Sequence, residues 1–123
     1  MSRHSLYLFL SLALLASPAR AASFDCARAA QPDERAICAN PDLSALDSEM
    51  GGLWFAFSRV PMFMGSNGAR MDDAQAFLRL RAACGASVAC LRPLYRARIE
   101  TLKQAIVRAM ADYARLRNAD PPQ

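Results

Sequence analysis

The apolar residues of this chain fall into two long seams with helical spacing. Leu43, Leu46, Met50, Leu53, Phe57 and Val60 step by alternating threes and fours, and so do Tyr95, Ile99, Leu102, Ile106, Ala109, Tyr113 and Leu116. Residues at that spacing share one face of an α-helix, so each seam predicts a helix with one buried stripe. In the first, Ser44, Asp47, Ser48 and Arg59 fall off the seam and Trp54 widens it; Pro61 ends the helix. The second helix is predicted from about Arg92 to Arg117, with Pro93 in the first turn, where a missing N–H costs nothing.

Capping residues and turn formers divide the remainder. Pro32-Asp33-Glu34 reads as the proline and acidic first turn of a short helix reaching Cys38 or Ala39. Asn40-Pro41-Asp42 repeats that grammar as N-cap and first turn of the first seam helix. Gly51 and Gly52 lie inside that helix at about 1 kcal/mol each relative to alanine, which predicts close approach of another backbone there. Gly65-Ser66-Asn67-Gly68 reads as a flexible turn. Asp72 and Asp73 then open a shorter helix to about Ala83, with Phe77 and Leu80 turned inward. The expected fold is all-α, a small antiparallel helical bundle.

The chain ahead of this pattern has a different character. Arg3 and His4 precede an eleven-residue apolar run, Leu6 to Ala16, and Ala19-Arg20-Ala21 has the small-x-small form of a cleavage site. Residues 1–21 read as a signal peptide, 22–119 as one helical domain and 120–123 as a fraying tail. The apolar run falls short of the roughly 20 residues that span a bilayer, so no membrane span is expected after cleavage.

An exported chain meets an oxidising compartment, which gives the four cysteines their meaning. Cys26, Cys38, Cys84 and Cys90 are even in number, and two disulfides follow. Three connectivities are open; the favoured one pairs Cys26 with Cys38 and Cys84 with Cys90, closing short loops between helical segments. The spacings, C-x11-C and C-x5-C, contain none of the CxxC knuckles of zinc sites, and no metal or cofactor is expected.

Composition argues against catalysis and against nucleic acid. The only histidine, His4, leaves with the leader, so the mature chain has no imidazole for acid–base or ligand work. The acidic pairs Asp33-Glu34 and Asp72-Asp73 stand where helices begin, and stabilising the positive helix end accounts for them. Removing Arg3 and Arg20 from fifteen basic residues leaves thirteen against eleven acidic ones, a net charge of +2, too weak for a nucleic-acid footprint. The expectation is a protein that binds and does not catalyse.

Two groups of residues are candidates for that binding. Met62, Phe63 and Met64, beside Val60-Pro61, are soft apolar side chains in a predicted loop, and such residues form adaptable partner surfaces. Arg79, Arg81, Arg92, Arg96 and Arg98 bracket the Cys84–Cys90 loop, and guanidinium forks suit carboxylates.

Phe24-Asp25-Cys26-Ala27, the block Pro32 to Leu46 (PDERAICANPDLSAL) with Asp47, Cys84, Cys90-Leu91 and Tyr95-Arg96-Ala97-Arg98-Ile99 together resemble the lysozyme inhibitor LprI N-terminal family of exported bacterial domains. The resemblance covers most of residues 22–119. It implies a small periplasmic helical domain with paired cysteines, and a lysozyme or another peptidoglycan-cleaving enzyme as protein partner. Where that family has a tryptophan and then an Arg-Asp pair ahead of its third cysteine, this chain has Phe77, Arg81 and Ala82, and its Pro61 to Arg70 segment is particular to it. Lysozymes cleave with paired carboxylates in a cleft, which an inserted arginine can engage; Arg79, Arg81, Arg92 and Arg96 are the expected contacts, with Met62, Phe63 and Met64 as apolar anchor. The alternative function is an envelope interaction or accessory module without inhibitory activity.

Overall fold

A computed structural model describes residues 22–119. The expected leader and tail lie outside the described residues. A single 3-10 turn, Cys26–Arg28, precedes four helices: α1 (Pro32–Ala39), α2 (Pro41–Ser58), α3 (Met64–Cys84) and α4 (Val88–Ala119). Among the described residues there is no strand, and no helix is long and apolar enough to cross a membrane.

Short-range hydrogen bonds set the helix starts. Asp25 Oδ1 accepts from the Ala27 N–H at 2.9 Å and nucleates the 3-10 turn. At α1, Glu34 Oε2 accepts from the N–H groups of Ala30 (2.9 Å) and Gln31 (3.1 Å), donors that the helix itself leaves unpaired. Those two backbone donors hold the Glu34 carboxyl below its ordinary range. Asn40 does occupy the N-cap position of α2, but its side chain works backwards: Nδ2 donates to the Ala36 carbonyl at 2.7 Å and closes α1. Ser44 Oγ adds a bond to the Ile37 carbonyl at 2.7 Å, so the two helices are locked at their junction.

Consecutive long helices reverse direction, and α4 therefore runs alongside α2 in the same sense. Asp42 meets Arg92, Asp47 meets Tyr95 and Glu49 meets Lys103, in ascending order on both helices. The core lies between these two, with α1 and Phe77 of α3 closing it: Ile37, Leu43, Leu91 and Tyr95 have no exposed surface, and Met50, Phe57, Ile99 and Leu102 extend the cluster. The phenyl ring of Phe77 stands edge-on to Tyr95 at 5.4 Å between centroids. Both expected disulfides are formed, Cys26–Cys38 and Cys84–Cys90, with Cα separations of 5.7 and 5.6 Å.

Asp47, expected on the solvent side of α2, is fully buried. It accepts from the Tyr95 hydroxyl at 2.7 Å and from the Ser23 N–H at 2.6 Å, so a carboxylate fixes both the α2–α4 register and the incoming N-terminal segment. Burial, reinforced by this carboxylate, pushes the Tyr95 phenol far above its ordinary value of 10.0. The Ser23 segment crosses α2 at Gly51, where an added Cβ would stand 2.8 Å from Ser23 Cβ. The predicted close approach is thus real at Gly51; at Gly52 nothing lies within 4 Å.

The largest departure from expectation is α3. Gly65, Ser66, Asn67 and Gly68 are helical, and the connection is confined to residues 59–63. The cause is Arg70, a buried side chain whose guanidinium donates to the carbonyls of Phe57 (2.5 Å) and Val60 (3.1 Å) and to Asn67 Oδ1 (2.5 Å). Those carbonyls lie at and just beyond the C-terminal end of α2, and binding them from the second turn of α3 offsets the helix cost of two glycines, about 2 kcal/mol together. At 21 residues α3 is longer than α2, with 18, and not the short connector expected. Its inward stripe reads Arg70, Ala74, Phe77, Arg81, Cys84. Leu80, expected inside, is 58% exposed because Arg81 occupies that face.

Gly85 ends α3 with φ at +54°, a conformation that side-chain-bearing residues avoid, and donates to the Ala82 carbonyl at 3.0 Å. The next helix begins at Val88 and not near Arg92, since Ser87 Oγ accepts from the Cys90 N–H at 3.2 Å as an N-cap. Pro93 consequently sits beyond the first turn, inside α4.

Candidate functional site

An α-helix rises about 1.5 Å per residue, so the 32 residues of α4 extend about 48 Å and the 18 of α2 about 27 Å. The excess carries the last turns of α4 beyond the end of α2. Between that half and the 59–63 connection lies an open apolar groove of about 690 Å³. Phe57, Pro61, Met62, Phe63 and Ser66 form one wall; Ala105, Arg108, Ala109, Asp112, Tyr113 and Leu116 of α4 form the other.

Local sequence explains this shape. Pro61 cannot continue α2 and the chain crosses over in extended form to Phe63, which projects Met62 and Phe63 towards α4. Met62 is half-buried against the core, while Phe63 is 72% exposed on the rim. Opposite, Ala105 and Ala109 supply a floor without bulk, and Tyr113 and Leu116, expected to close the seam, are half-buried and 50% exposed respectively. Polar groups are few. Asp112 pairs with Arg115 one turn on, and Arg108 has no carboxylate partner among the described residues. A site of this kind offers apolar contact with one unspent positive charge at its edge.

The sequence-predicted binding residues do not form one site. Met62 and Phe63 line the groove; Met64, the first residue of α3, is 91% exposed beside it. The arginines lie towards the opposite end of α4, Arg92 being sixteen positions before Arg108, or about 24 Å along the axis. Two of the four are already engaged. Arg81 Nε donates to the buried Asp33 at 2.8 Å, with Glu34 at 3.8 Å and the Phe24 ring beneath its guanidinium at 5.6 Å. Arg92 Nε reaches Asp42 at 2.9 Å. Arg98 is likewise buried and paired with Asp73. Arg81 and Arg92 thus each hold an internal carboxylate, which either would have to give up to engage another. Arg79 and Arg96 remain exposed, on different helices.

Asp33 stands in the first turn of α1, as expected, and in addition anchors Arg81 from a position 2% exposed. Missed in the sequence were Phe57, Ser66, Ala105, Arg108, Ala109, Asp112, Tyr113 and Leu116 as groove residues. A signal existed: the second seam runs further than the first can cover, and Val107 and Met110 add exposed apolar side chains to the same stretch. Comparison with protein-family models, with curated proteins and with solved structures returned no match.

Proposed function

We propose that this chain is an exported protein-binding domain whose working surface is the apolar groove between residues 61–66 and the distal half of α4. The observation that carries the reading is the groove itself: about 690 Å³ of open apolar space with Phe63 on its rim, beside a core already closed by two disulfides and the buried Arg81–Asp33 ion pair. Apolar side chains left uncovered on an otherwise satisfied small fold favour a protein partner. Arg108 would meet a carboxylate of that partner.

The first partner to test is a lysozyme or related peptidoglycan-cleaving enzyme, a periplasmic role supported by the resemblance to the LprI N-terminal family. The residues that carry the resemblance, among them Cys26, Asp33, Cys38, Leu43, Asp47 and Tyr95, build the frame, whereas the groove wall from Pro61 to Ser66 belongs to the segment particular to this chain. The resemblance thus supports the scaffold and the export, and partner choice rests with the groove. A net charge of +2 gives no long-range attraction to a basic lysozyme, so affinity has to arise at short range.

The test is titration of the oxidised protein into chicken-type and goose-type lysozyme during turbidity clearance. Inhibition at near one-to-one ratio, lost on Phe63→Ser, supports the inhibitor reading. Full enzyme activity throughout removes it and leaves the envelope interaction module, for which the Phe63→Ser variant serves as the matched control in capture from periplasmic extract.

A further inference from the structure

The α4 wall of the groove is self-complementary. Its lining residues, Ala105, Arg108, Ala109, Asp112, Tyr113 and Leu116, form a three-turn face whose spacing is the same read from either end. A second α4 laid antiparallel on this face would put Ala105 opposite Leu116, Arg108 opposite Tyr113 and Ala109 opposite Asp112. At the two levels that contain an alanine a small residue meets a larger one, which lets the helices approach closely. Charges agree with the same register: Arg108, which has no carboxylate in its own chain among the described residues, comes level with the neighbourhood of Asp112 of the second copy, and the two-fold axis makes that contact twice. Asp112 gives up little, since its own pairing with Arg115 is an exposed contact one turn along the helix. The half-exposed Leu116 and the rim residue Phe63 would both be covered.

We infer that two copies of this chain associate through the groove, with their α4 helices antiparallel and their Arg108 and Asp112 side chains exchanged across the two-fold axis. The occupant of the groove in the free protein is then a second copy, and any other protein partner binds by displacing it. This goes beyond the binding function proposed above, and the two fail separately.

Sedimentation equilibrium of the disulfide-bonded protein over a wide concentration range tests it. The expected result is a monomer–dimer equilibrium that Leu116→Asp weakens by at least about tenfold, at a position exposed enough for helicity by circular dichroism to stay unchanged. Arg108→Asp and Asp112→Arg should each weaken the dimer, and the doubly exchanged variant should recover most of the loss. A chain that stays monomeric at every concentration overturns the inference, as does a dimer indifferent to all three single changes or one that the double exchange fails to restore. A monomer that nonetheless captures a lysozyme would overturn self-association and leave the binding function standing.

Discussion

The two ends of α4 lie in opposite regimes. Around its first half the buried and half-buried side chains are tied by polar contacts: Tyr95 to Asp47, Arg98 to Asp73, Arg92 to Asp42, and nearby Arg81 to Asp33, with both disulfides fastening the same end. Around its second half no cross-link or buried ion pair appears among the described residues, and Val107, Met110 and Leu116 stand half or more exposed. One helix thus carries a frame and a surface. The contrast teaches that charged residues here serve stability, where sequence reasoning assigns arginines to binding, and that apolar residues placed in the core by their spacing serve as surface.

The sharpest way to break this contrast is at Asp47. Asp47→Ala strands the Tyr95 hydroxyl and the Ser23 N–H without an acceptor and should cost about 3 kcal/mol, read by chemical denaturation. Reopening the disulfides comes next: Cys26→Ser with Cys38→Ser should cost about 3 kcal/mol and Cys84→Ser with Cys90→Ser about 2, following the lengths of the loops they close. A smaller effect, of opposite sign at adjacent positions, is expected at the glycines. Gly51→Ala meets Ser23 and should destabilise by about 1 kcal/mol, while Gly52→Ala, with open space and helical backbone, should stabilise by about 0.5 kcal/mol or more. Thermal melts of the two single variants side by side decide it.

Alkaline titration probes the frame without mutation. The Tyr95 phenol is raised in the folded chain, so the folded state holds its proton where the unfolded state has lost it; stability is complete below pH 10 and falls as pH rises above it. Tyrosinate absorbance from Tyr95 should therefore appear only together with loss of helicity. The smallest effect is predicted at the groove rim: Phe63→Ser and Met64→Ser, at exposed positions, should change stability by less than about 0.5 kcal/mol while altering association.

Much of the frame was legible because it is written in local grammar. The α2 and α4 seams, the start of α1 at Pro32 and the two disulfides follow from spacing, proline placement and cysteine parity. What escaped was written in tertiary contacts. Nothing local marks Arg70 as the cap of a helix that ends at Ser58, and without that cap Gly65 to Gly68 read as a turn. Asp33 and Asp47 are polar by type and buried by partnership, so a hydrophobic pattern places them outside. Of the groove, Met62 and Phe63 were visible as an apolar run in a loop; the α4 wall was not, since Ala109, Tyr113 and Leu116 continue the core seam and only the length mismatch between α2 and α4 uncovers them.

Amide hydrogen exchange along α4, measured in dilute solution with both disulfides intact, compares the two ends most directly. The amides from Tyr95 to Leu102 should exchange only through global unfolding, at the rate set by the total stability, while those from Arg108 to Arg117 exchange many-fold faster through local opening of the more exposed end of the helix. Equal protection along the whole helix would contradict the account, for it would mean that the distal half is as fully packed as the frame and offers no open surface.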